Sequence, residues 1–126
     1  MKTDYIDLIS GDVRRVGPEP PKSMNTNINL TSAVILKNRL VVDFEYTVTY
    51  LPDESMIRIA GKGIFTGSEA KKAKDEWEKT THITGSHGEL ILNAINYSAS
   101  LNALLLARAF NMTPPVILPE LKFRKA

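Results

Sequence analysis

From Leu90 to Ala107 the chain carries no charged side chain, and this run limits the folds open to it more than any other stretch. As a helix rising about 1.5 Å per residue it would be roughly 27 Å long, just short of a membrane crossing. Asn93, Asn96, Ser98, Ser100 and Asn102 recur through it, and each would cost on the order of 1 kcal/mol or more if left unpaired in lipid. The run is therefore expected to lie against protein and not to insert into a membrane. Leu90, Ala94, Tyr97, Leu101 and Leu104 form one stripe, with Ile91, Ile95, Ser98, Asn102 and Leu105 beside it. A helix uncharged all round is normally covered all round, and a single sheet covers one side. The small and amide positions Asn93, Asn96, Ala99, Ser100, Asn102 and Ala103 are thus expected to meet a second subunit. The alternative is cover from the N-terminal loop and C-terminal tail of the same chain.

The segments before this helix read as strands. "LVVDFEYTVTYL" (40–51) alternates strictly, with Leu40, Val42, Phe44, Tyr46, Val48 and Tyr50 on one face and Asp43, Glu45, Thr47 and Thr49 on the other; this is the period of a half-buried strand. "TNINLTSAVILK" (26–37) precedes it, joined through Lys37-Asn38-Arg39, where Asn tolerates positive φ. "MIRIAGKGIFTG" (56–67) follows after the turn residues "PDES". "YIDLISGDVRRV" (5–16) changes parity along its length and suggests a bulge near Gly11. Pro18, Pro20 and Pro21 rule out helix and central strand between it and the next strand, so this link is a stiff crossover. Ser68 can cap a short helix, "EAKKAKDEWEK", anchored by Trp77, and the long helix is expected over 89–111. The fold class is α+β: a four-stranded antiparallel sheet with a proline-rich crossover after strand 1, packed against a short and a long C-terminal helix. At 126 residues it forms one domain, 1–126, able to bury roughly two-thirds of its unfolded surface.

Beyond the helix, Asn111 suits a left-handed cap, and Pro114-Pro115 send "VILPEL" out as an extended segment. Cysteine is absent, which excludes disulfides, thiol catalysis and thiolate metal sites. The start, "MKTDYIDLIS", has Asp4 and Asp7 interrupting its apolar run, unlike a secretory signal, and a cytoplasmic location is expected. The net charge of +2 gives no case for nucleic acid, and no cofactor is expected. Gly61, Gly63 and Gly67 lack the Lys-Ser/Thr ending of a phosphate loop; a bulge or close backbone approach accounts for them. His82 and His87 have no carboxylate cluster nearby in sequence to complete a metal or acid–base site, so neither catalytic residues nor metal ligands are assigned.

The order of elements, the "GIF.G" strand ending at Gly63, Ile64 and Phe65, and a helix running through "ARAFNMTPPVILPELKF" with Pro115, Leu118 and Pro119 resemble the SecB-like chaperones over about residues 5–123. The resemblance implies an ATP-independent holdase, not an enzyme: a homo-oligomer, dimer or dimer of dimers, that binds unfolded or extended polypeptide clients in apolar grooves. Some such chaperones deliver precursors to the export motor and others guard antitoxins. This chain ends in a basic "KFRKA" where the export members carry a further helix and an acidic tail. The expected client-binding residues are Val16, Pro18, Met24, Tyr50, Ile59, Tyr97, Val116 and Leu118, with Pro20 beside them. A hotdog-like acyl-thioester hydrolase is the enzymatic alternative, since a long helix against an antiparallel sheet describes both folds, and a non-catalytic oligomeric interaction protein is the third reading.

Overall fold

The computed structural model describes residues 1–17 and 20–115. Four strands precede two helices: β1 (Lys2–Arg14), β2 (Ser23–Leu36), β3 (Arg39–Leu51), β4 (Met56–Thr66), α1 (Ala70–Thr80) and α2 (Gly85–Ala109). The strands form one antiparallel sheet in the order β1-β4-β3-β2. The β1–β2 link therefore joins the two opposite edges of the sheet, and a stiff proline-rich connection suits that span where a hairpin would fail. This is the expected α+β architecture.

β3 sets the two faces. Its residues Leu40, Val42, Phe44, Tyr46, Val48 and Tyr50 are all buried beneath the helices, while the intervening side chains point away from them. On that outer face Asp43 accepts hydrogen bonds from Lys62 Nζ at 2.9 Å and Ser32 Oγ at 2.8 Å, and Glu45 pairs with Arg58 at 3.1 Å. Partial burial pulls the Asp43 carboxyl upward, but the hydrogen bonds from Lys62 and Ser32 together hold it below its ordinary value. Between β2 and β3, Lys37 and Asn38 both take positive φ, 50° and 62°. That pair of left-handed residues matches the twist of a two-residue hairpin.

β1 changes phase as expected. Its register against β4 shifts between Leu8 and Ser10, near Gly11, and also between Thr3 and Tyr5. The reason lies in the partner strand. A Cβ at Gly61 would stand 2.3 Å from the Asp7 carbonyl oxygen and 3.0 Å from Leu8 Cα, so the bulge sits where a bare backbone lets the strands close. Gly61 thus serves a close backbone approach, whereas Gly63 leaves room for the Phe65 ring, which a Cβ there would meet at 2.7 Å.

α2 packs through Ile91, Ile95, Ala99, Ala103 and Ala107, a row at four-residue spacing with no exposed surface. Alanines there let the helix lie close to the sheet. The helix is long and apolar enough to cross a membrane, but this row binds it to the sheet as the core helix of the domain. It begins at Gly85, four residues before the expected Glu89. Glu76 of α1 reaches across to Thr84, accepting from its backbone N–H at 3.0 Å and its hydroxyl at 2.6 Å, and so ties the helices together at that start. α1 begins one residue later than the Ser68 cap implied, with Glu69 at the capping position. At the far end Asn111 has φ 57°. Met112 N–H bonds to the Ala107 carbonyl at 2.8 Å and Asn111 N–H to that of Arg108 at 3.3 Å, a Schellman ending with asparagine in the left-handed position.

The same packing revises the face expected to meet a second subunit. Ala99 and Ala103 lie on the sheet, and Asn96 and Ser100 are buried beside them; all four are taken up within the chain, leaving Asn93 half-buried and Asn102 exposed. The reason is that the small residues serve close helix–sheet approach. The outward face instead presents Tyr97, 68% exposed, Leu105, 65% exposed, and Leu101.

Candidate functional site

At one end of the sheet three segments meet that are far apart in sequence. They are the start of the crossover, the β3–β4 turn and the chain leaving α2. Val16 N–H donates to Ser55 Oγ at 2.9 Å, and Ser55 N–H donates to Asp53 Oδ1 at 2.9 Å. Arg15 Nη1 donates to the Phe110 carbonyl at 3.2 Å, and the Tyr50 hydroxyl donates to the Thr113 carbonyl at 2.6 Å. These bonds frame a cleft of about 170 Å³ lined by Arg15, Gly17, Pro20, Pro21, Tyr50, Asp53, Ser55, Asn111, Met112 and Thr113. Polar and apolar groups share its lining about equally.

Of the expected client-binding residues, Tyr50 lines this cleft, and Val16 and Met24 lie next to its lining residues Ser55 and Tyr50. Val16 is exposed beside the cleft, Met24 pairs with Tyr50 across β2 and β3, and Tyr50 is buried in its floor. Ile59 and Tyr97 do not join them. Ile59 is buried under a second groove of about 340 Å³ between β1 and α2, with Leu8, Ile9, Leu105 and Leu106. Tyr97 borders a third, of about 510 Å³, with Ile6, Leu90 and Ala94. Pro18, Val116 and Leu118 lie outside the described residues. Arg15, Asp53, Ser55 and Thr113 were missed by the sequence reading. "PDES" signalled a turn, but its hydrogen bond to Val16 has no mark in sequence.

Tyr50 gives this end of the molecule a measurable property. Burial first, and the neighbouring Tyr46 second, push its phenol up to about 12. The folded value lies above the unfolded one, so the associated stability is fully present below about pH 10 and is lost as the pH rises towards 12. Phenolate absorbance should show Tyr50 ionising late and together with loss of helical circular dichroism. Tyr50→Phe should shift the alkaline transition upward while costing about 1 kcal/mol at neutral pH through the lost bond to Thr113. An unchanged alkaline transition would contradict the assignment.

His82 is exposed and His87 half-buried, and among the described residues no group of three or more His, Cys, Asp or Glu is placed to hold a metal ion. The carboxylates nearest the middle of the sheet, Asp43 and Glu45, point away from α2 and are engaged by Lys62 and Arg58.

No protein-family model matches the sequence, and no curated protein sequence matches it. The structure does match a solved one. A SecB-like chaperone of Mycobacterium tuberculosis, in complex with a ChAD peptide from an antitoxin, superposes with a TM-score of 0.63 over 96% of this chain and 87% of its own, at 13% identity. The fold is SecB-like. The strands and helices among the described residues are accounted for by the packing given above.

Proposed function

We propose that this chain is an ATP-independent holdase that binds unfolded or extended polypeptide segments. The observation that carries the reading is the likeness of the fold to a SecB-like chaperone solved with an antitoxin peptide. It is supported by the cleft at the crossover, whose lining combines Tyr50, Met112, Pro20 and Pro21 with the polar Arg15, Asp53 and Ser55. Unfolded clients share a backbone and apolar side chains, and such surfaces match both without a catalytic group. The thioesterase alternative needs an acid beside an acyl pocket under the helix, whereas Asp43 and Glu45 are on the opposite face in ion pairs. The chaperone is not an enzyme, uses no cofactor and works in the cytoplasm.

The working form is a homo-oligomer in which the outward face of α2, with Tyr97, Leu101 and Leu105, meets another copy. Asn93 and Asn102 flank that face. Clients occupy the cleft beside Val16, Met24 and Tyr50. Both antitoxin-type tails and export precursors are extended segments of this kind.

Equimolar protein should keep a chemically unfolded client soluble after dilution, with no nucleotide present, and light scattering reads the result. If client aggregation proceeds at the rate of the protein-free control, and no client binds at micromolar concentration, the holdase reading fails.

A further inference from the structure

The sheet has two outer strands, β1 and β2, and neither has a further strand beside it among the described residues. An edge strand turns alternate main-chain N–H and C=O groups outward, where another chain can pair with them, and proteins guard such edges with charges, prolines and bulges. β1 is guarded in this way. It carries Lys2, Asp4, Asp7, Asp12 and Arg14, and two register shifts break its line. β2 is not. "SMNTNINLTSAVIL" holds no charged residue and no proline, and from Ser23 to Leu30 it pairs with β3 without a register shift. That unbroken run is roughly 27 Å long.

Its two faces differ. Met24, Ile28 and Leu30 lie on the helix side, half-buried against the core, while Asn25, Asn27 and Asn29 are exposed on the other. The run also joins two openings. At its start Pro20, Pro21 and Tyr50 line the cleft, and Tyr50 stands opposite Met24. At its end a groove of about 280 Å³ is bordered by Ile28 and Leu30 together with Trp77 of α1, Ile83 of the link between the helices and Leu92 of α2. A strand added along β2 would send alternate side chains to these same two faces. One set would meet the apolar groove and the other the row of asparagines.

We propose that β2, from Ser23 to Leu30, is the pairing edge of this chain, and that its occupant is an uncharged extended polypeptide, apolar at every second residue, which joins the sheet as a fifth strand. The proposal rests on the holdase reading and deepens it by giving the course of a client beyond the cleft. Main-chain hydrogen bonds hold the segment whatever its sequence. The groove at Trp77 favours apolar side chains on one face, and the uncharged edge offers no partner to a charged segment. A proline in the client removes a donor from the new ladder.

The test uses the full chain and an acetylated, amidated eight-residue peptide in which valine alternates with threonine, with amide hydrogen exchange followed by NMR. In the free protein alternate amides from Ser23 to Leu30 should exchange rapidly. Saturating peptide should slow them at least ten-fold and leave those of β1 unchanged. Two further peptides carry N-methyl groups on the odd or on the even amides, and at least one of them should bind ten-fold more weakly or worse, since several hydrogen bonds are lost. Equal Kd values for all three peptides would overturn the proposal, as would slowed exchange confined to β1 or to the cleft. Protection of the outward β2 amides in the free protein would overturn it too: a dependence on protein concentration would give the edge to a second copy, and its absence would give it to the chain's own residues. If the protein keeps an unfolded client soluble but does not bind the peptide, the proposal falls alone. If it does neither, the holdase reading fails and the proposal with it.

Discussion

Ala103→Arg is expected to unfold the chain, whereas Leu105→Arg is expected to leave it folded and dissociate the proposed oligomer. The two positions are two residues apart on α2 and differ only in which way they face. Ala103 has no exposed surface and belongs to the alanine row against the sheet. An arginine there would either bury an unpaired charge, at about 3–5 kcal/mol, or lift the helix from the core. Either cost is comparable to the whole stability of a domain this size, about 5–15 kcal/mol. Leu105 stands 65% exposed on the outward face, where a long charged side chain reaches water in the single chain. In the proposed oligomer the same arginine would be buried against a second copy. Circular dichroism reads the first effect and light scattering the second. If Leu105→Arg and Tyr97→Arg both keep the wild-type mass, the outward face is not the interface. A folded Ala103→Arg with a wild-type midpoint would refute the packing of α2.

That contrast also marks where sequence reasoning stopped. β3 was legible because charge alternates with apolar bulk, so period and direction appear together. The Lys37-Asn38 hairpin and the left-handed Asn111 were legible because amide side chains mark positive φ. The inward face of α2 was harder, because a helix without charges has no polar side to define its opposite. Its hydrophobic stripes point everywhere. The usable signal was residue size: Ile91, Ile95, Ala99, Ala103 and Ala107 form one row, and small residues belong where a helix approaches a sheet. Read as interface glue, Ala99 and Ala103 were assigned to the wrong side. Val16 and Met24 lie beside the cleft without lining it, and of the residues that line it Tyr50 was legible because it stands in phase on a clear strand. Arg15, Ser55 and Thr113 were not, because their joining bonds run to or from main-chain groups, which every residue possesses.

Gly61→Ala should be nearly as damaging as a charge in the core, even though it adds a single methyl group. The added Cβ would lie 2.3 Å from the Asp7 carbonyl oxygen, far inside contact distance, and both atoms belong to paired strands that cannot rotate away as a side chain could. β1 would have to withdraw from β4 around Asp7 and Leu8. It would give up ladder hydrogen bonds and the half-buried packing of Ile6 and Leu8 against the core. Overpacking of this kind costs about 1–3 kcal/mol where side chains can adjust, and more where backbone must move. A loss of about 3 kcal/mol corresponds to roughly 10 °C in Tm for a domain of this length. Gly11→Ala is the control within the same strand pair. Its Cβ would meet only Leu106 Cδ1 at 3.4 Å, an ordinary contact, and by restricting the unfolded chain it should be neutral or stabilising by up to about 1 kcal/mol. Comparable Tm values for the two variants would mean that the strands do not close on a bare backbone at Gly61. The expected gap between them places the irregularity of β1 in the needs of its partner strand, because the glycine within β1 itself has room for a side chain and the one across from it does not.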